Sequence, residues 1–92
     1  MKHLNIEVYG KVKGVYYRLT CKAVADQLGI KGFVMNRPDG SVYIEAEGDP
    51  HGLEELLEFC KEGPEGAEVK SLTQEEGALR GFKNFEVVKK IK

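Results

Sequence analysis

Between Gly10 and Arg18 the chain reads Gly-Lys-Val-Lys-Gly-Val-Tyr-Tyr-Arg. Gly10 and Gly14 release the backbone from the Cβ penalty at positive φ. The run ends where a helix is expected to open, so unpaired N–H groups and the positive end of the helix dipole gather there. Arg18 adds a guanidinium that can grip two oxygens at once. Loop amides, helix start and arginine together suit a tetrahedral, doubly charged anion such as phosphate. Taken alone, the run also reads as a glycine-containing turn with a surface arginine. It is neither a Walker loop nor a dinucleotide fingerprint.

Other chemistry-bearing side chains are sparse. Cys21 and Cys60 stand far apart and form no Cys-x-x-Cys pair, so no zinc site is expected. Both fall on apolar helical stripes, which favours buried free thiols, although two antiparallel helices would allow a bridge. His3 and His51 have no partner at ligand spacing and read as surface or edge residues. Glu45, Glu47, Glu54 and Glu55 read as solvated faces. No metal ion or cofactor is expected.

With 92 residues the chain is expected to form one small domain, spanning residues 1–92. Apolar content of 41% and charged content of 32% fit a folded globule better than a disordered chain. A net charge of −1 lacks the electrostatic footprint of a nucleic-acid binder. No apolar run reaches membrane-spanning length and no signal-peptide core opens the chain, so the expected location is the cytoplasm and the expected state a monomer.

The elements that must position the candidate loop follow from periodicity. Leu4, Ile6 and Val8 alternate with Asn5, Glu7 and Tyr9, predicting a strand that ends near Val12. Tyr17, Cys21, Val24 and Leu28 recur at helical spacing, with Gly29 as the stop. Ile30 to Asn36 reads as a second strand, and Arg37-Pro38-Asp39-Gly40 as a tight turn. Val42, Ile44 and Ala46 mark a third strand, completing a hairpin. Asp49 and Pro50 begin a second helix, whose stripe is Leu53, Leu56, Leu57 and Cys60. Gly63-Pro64 ends it. A fourth strand is expected over 67–74 and an exposed loop over 75–81. Phe82, Phe85, Val87 and Ile91 suggest a last strand.

The order β-α-β-β-α-β plus a C-terminal strand predicts an α+β, ferredoxin-like two-layer sandwich. Its sheet is expected to be antiparallel, with both helices on one face. Strands one and two should run parallel, with the third between them. Their C-terminal ends then leave the same edge of the sheet, so the topology should bring Arg18 and Asn36 together.

The run Gly10-x-Val12-x-Gly14-Val15-x-Tyr17-Arg18 is followed by Gly32-Phe33-Val34-Met35-Asn36-Arg37-Pro38-Asp39-Gly40-Ser41-Val42 and Glu45-Ala46-Glu47-Gly48. The combination resembles the acylphosphatase family over nearly the whole chain. That resemblance implies metal-independent hydrolysis of the carboxyl-phosphate bond of acyl phosphates. It implies that Arg18 holds the phosphoryl group and that Asn36 positions the attacking water. It also implies that the main-chain amides of Lys13, Gly14, Val15, Tyr16 and Tyr17 cradle the phosphate oxygens. The substrate would be a small acyl phosphate, with inorganic phosphate as product and competitive inhibitor, and neither nucleic acid nor membrane as partner. Two positions depart from the family pattern, which commonly has glutamine at Lys13 and phenylalanine at Tyr17. Lys13 adds a charge beside the cradle. Tyr17 adds a hydroxyl to a core side chain, which then needs a partner.

An acyl phosphate leaves as a weakly basic carboxylate, so positioning and charge stabilisation suffice for most of the chemistry. Two other readings stay open at this point. Lys31-Gly32-Phe33-Val34 faintly echoes an RNA-recognition signature, though on the wrong strand and without a second aromatic. A carbamoyl-phosphate-handling module of larger hydrogenase-maturation proteins would share the fold.

Overall fold

Ile6 and Val8, like Ile44 and Val42 across from them, are fully buried, while the residues between them point to the other face. That period of two builds a sheet with one oily side, and both helices lie over it. The structure, a computed structural model, describes residues 1–12 and 16–88. Its order is β1 (Lys2–Lys11), α1 (Tyr17–Leu28), β2 (Lys31–Asn36), β3 (Val42–Gly48), α2 (Pro50–Glu62), β4 (Glu68–Gly77) and β5 (Phe85–Val88). The sheet order is β4-β1-β3-β2-β5.

β3 lies between β1 and β2 and is antiparallel to both, so β1 and β2 are parallel and leave the sheet at one edge. The ferredoxin-like arrangement is therefore the observed one. The sheet is mixed rather than purely antiparallel, because β5 pairs with β2 in parallel, Gly32 opposite Phe85 and Met35 opposite Val88. A last strand that returns from the far edge, β4, across the open face can only add beside β2 in that direction.

The helices end where their chemistry dictates. Gly29 takes a left-handed φ of 70° at the end of α1, and the N–H of Ile30 reaches back to the Ala25 carbonyl at 2.9 Å. Asp49 caps α2 and Pro50 opens it. The expected stripe Leu53, Leu56, Leu57 and Cys60 is buried. Cys21 and Cys60 are both buried free thiols.

Three expectations are corrected. The fourth strand runs to Gly77, because Glu75, Glu76 and Gly77 pair with Asn5, Leu4 and His3 of β1. Polar composition suggested a loop, but ladder bonds to a neighbour override it at an exposed edge. His3 is only 3% exposed rather than a surface residue. Glu45 and Glu47 are buried as well. All three lie on the sheet face away from the helices, and the segment 78–84 crosses it. The Glu47 carboxylate accepts the N–H groups of Arg80, Gly81 (3.0 Å) and Phe82 (3.3 Å) and shares a 2.7 Å hydrogen bond with His3 Nδ1. Burial alone would push the Glu47 carboxyl up, but those amides and His3 outweigh it and hold it below the usual value of 4.5.

Candidate active site

Gly10 shapes the exit from β1. Its φ is 132°, and a Cβ there would stand 2.1 Å from the Glu68 carbonyl oxygen of β4. The β1–β4 register shifts between Tyr9 and Gly10. The chain therefore bulges at the end of β1, which redirects it toward the start of α1.

α1 begins with an unusual cap. Tyr16 sits at the N-cap with φ 58° and ψ 23°, the one left-handed residue other than glycine among the described residues. It makes no side-chain capping bond. For a bulky residue this backbone costs roughly 1 kcal/mol or more. The first intrahelical bond runs from the Thr20 N–H to the Tyr16 carbonyl at 3.0 Å. The N–H groups of Tyr17, Arg18 and Leu19 thus stand outside the ladder of α1, at its positive end.

Tyr17 is 1% exposed, and its hydroxyl donates to the Cys60 carbonyl at 2.7 Å. That carbonyl belongs to the last turn of α2, where no helical N–H remains to meet it. The hydroxyl that departs from the family pattern thus ties the start of α1 to the end of α2. Burial pushes the phenol well above its ordinary pKa.

Arg18 is half-buried, and its Nη1 donates to the Val88 carbonyl of β5 at 3.2 Å. One turn on, Lys22 Nζ donates to the Phe85 carbonyl at 2.9 Å. β5 therefore orients Arg18 from behind. Sequence reasoning missed this role for β5, although the i, i+4 spacing of Arg18 and Lys22 places both cations on one row of the helix.

Asn36 ends β2 opposite Val42. The following turn closes by the Gly40 N–H to the Arg37 carbonyl at 3.0 Å, and Asp39 accepts from the Ser41 N–H at 2.9 Å. The Arg37 guanidinium is committed elsewhere, to Glu7 and to the face of Tyr43 at 4.4 Å. Arg37 holds the Glu7 carboxyl below its usual range.

Arg18 and Asn36 line one open cleft of about 470 Å³, together with Tyr16, Tyr17, Leu19 and the walls Val12 and Val87. No carboxylate, histidine or cysteine lines it among the described residues. Asn36 Oδ1 is buried and has no hydrogen-bond partner among the described residues. A buried carbonyl oxygen in that state accepts whatever donor enters. Lys13, Gly14 and Val15, expected in the cradle, lie outside the described residues. No group of three or more potential metal ligands occurs among the described residues, and no described helix is long and apolar enough to cross a membrane. Phe33, the aromatic of the RNA-recognition echo, packs against Tyr43 and Phe82 at centroid distances of 5.9 and 5.8 Å.

Known proteins resemble this chain in sequence and in fold. The family model for acylphosphatase matches residues 4–87. The acylphosphatase of Thermotoga petrophila is 44% identical over 87 residues, covering 95% of this chain and 97% of that protein. The crystal structure of acylphosphatase from Bacillus subtilis superposes with a TM-score of 0.93 at 35% identity, covering 96% of this chain and 99% of that one. Full-length HypF, in a phosphate- and nucleotide-bound form, matches at a TM-score of 0.85 and 26% identity, with 12% of its chain covered.

Proposed function

The chain belongs to the acylphosphatase family and hydrolyses acyl phosphates, and we propose that Arg18 and the loop amides hold the phosphoryl group while Asn36 positions the attacking water. The observation that carries this reading is Asn36 lining the cleft that Arg18 also lines, with its buried Oδ1 unpartnered among the described residues. A water donating one O–H to that oxygen is held, with its lone pair free to attack phosphorus.

In the proposed step the new P–O bond forms from this water as the bond to the carboxylate oxygen breaks. The carboxylate leaves unprotonated, so no general acid is needed. Arg18 and the amides of residues 13–17 meet the charge on the equatorial phosphoryl oxygens. No carboxylate, histidine or cysteine lines the cleft among the described residues to take a proton. The water's proton therefore passes to a phosphoryl oxygen of the substrate itself, and the products are a carboxylate and phosphate. The same reading makes inorganic phosphate a competitive inhibitor and takes the enzyme as a cytoplasmic, single-domain monomer that uses no metal.

Phosphate release from benzoyl phosphate tests this directly. Turnover should persist in excess EDTA, and inorganic phosphate should raise the apparent KM without lowering kcat. Activity that disappears in EDTA and returns with Mg²⁺ would overturn the mechanism.

A further inference from the structure

Glu7 and Arg37 form an ion pair on the sheet face away from the helices, and the chemistry proposed above does not use it. Arg37 directly follows Asn36. Successive side chains of an extended chain point to opposite faces. Val34 sits in the core beneath the helices and Asn36 lines the cleft on that side. Phe33, Tyr43 and Arg37 meet on the other face. The ladder runs one step past β2, since the Arg37 N–H donates to the Ser41 carbonyl at 2.8 Å, so Asn36 and Arg37 share one extended stretch. The Arg37 guanidinium lies 4.4 Å over the ring of Tyr43 in β3 and reaches across it to the Glu7 carboxylate in β1. The Tyr43 hydroxyl donates to Glu45 at 2.7 Å, and the second oxygen of Glu7 accepts from Thr73 of β4 at 3.2 Å. Through these contacts the residue after Asn36 is tied to β1, β3 and β4. With side chains 26% and 34% exposed, the pair adds little to stability as an ion pair alone.

We propose that Arg37 is a positioning residue for the reaction: clamped between Glu7 and Tyr43 on one face of the sheet, it fixes the backbone that aims the Asn36 side chain into the cleft on the other. This rests on the reading of Asn36 as the residue that positions the attacking water. The water must stand in line with the bond that breaks, and a small rotation of the backbone between Asn36 and Arg37 carries Oδ1 off that line. A displacement of about 1 Å in a positioning group can slow a reaction about a hundredfold. Phosphate binding makes no such demand on Asn36, because Arg18 and the loop amides hold the phosphoryl group.

Glu7→Ala and Arg37→Ala test this in the intact chain. Each should lower kcat for benzoyl phosphate about tenfold, while the affinity for inorganic phosphate, measured by calorimetry, stays near the parent value. Glu7→Gln keeps an oxygen that accepts from Arg37 and should recover most of the lost kcat. The two alanine losses should not add, so the double variant should be no slower than Arg37→Ala alone. On an Asn36→Ala background, Arg37→Ala should slow turnover no further, because no side chain remains to be aimed. Parent-like kcat in either alanine variant overturns the clamp and leaves Asn36 its role. A further loss on the Asn36→Ala background also overturns it, since Arg37 would then act independently of Asn36. Phosphate affinity lost together with turnover overturns it as well, because the pair would then hold the fold rather than the aim of one side chain. Full turnover in Asn36→Ala overturns the clamp and the reading of Asn36 together.

Discussion

At the scale of single residues, Tyr17 is the one expected departure from the family pattern that lies among the described residues. The Tyr17 hydroxyl has a structural use: it supplies the donor that the Cys60 carbonyl lacks at the end of α2. Tyr17→Phe keeps the ring's packing against Phe59 (5.6 Å between centroids) but orphans that carbonyl. The expected cost is about 1 kcal/mol, or a fall in Tm of roughly 4–8 °C for a chain of this size. Thermal denaturation followed by circular dichroism measures it, and an unchanged Tm would show that the bond contributes nothing. Arg18 is held by a carbonyl of β5, and Asn36 Oδ1 has no partner among the described residues. An anchored cation suits a group that must not move, and an unmet acceptor suits one that awaits a small donor.

At the scale of elements, the segment 78–84 behaves as a strap over the open sheet face. Its grip is the Glu47 carboxylate, 3% exposed and bonded to successive backbone amides. The groups facing it are His3, Glu45 and Arg80, whose Nη1 meets Glu45 at 3.0 Å. Because Glu47 is held below 4.5 in the folded state, its ionisation stabilises the fold above that pH. The stabilisation is lost as pH falls below 4.5 toward the lowered value, when protonation leaves one oxygen unable to accept. Hydrogen exchange at the amides of 80–82 should therefore accelerate below pH 4.5 ahead of exchange in β1 and β3. Glu47→Gln should speed those amides already at neutral pH, with a cost on the order of 2 kcal/mol. Exchange that stays slow in the variant would show that the strap is held by Phe82 packing alone. Where elements were bounded by local signals, the sequence was legible: Gly29, Asp49-Pro50 and Gly63 mark the helix ends as they stand. The buried state of Glu47 was not, since the amides that stabilise it come from 33 and more positions along the chain. The same holds for residues 75–77, whose strand character comes from pairing with β1 and not from their own composition.

At the scale of the whole molecule, the topology carries the site. β1 and β2 run parallel on either side of β3, so the loop before α1 and the turn after β2 leave the same edge. That juxtaposition of Arg18 and Asn36 could be foreseen from the order of elements alone. The tether from β5 to Arg18 could not, because it needs the parallel pairing of β5 with β2. The division of labour between the two residues is tested most directly by comparing Arg18→Ala and Asn36→Ala for turnover of benzoyl phosphate and for phosphate affinity by calorimetry. Arg18→Ala should lose both, with turnover down by about a hundredfold or more, on the order of 3 kcal/mol. Asn36→Ala should lose turnover on the same scale and bind phosphate with nearly the parent affinity. Full turnover in Asn36→Ala, or parent-like phosphate binding in Arg18→Ala, would contradict the assignment.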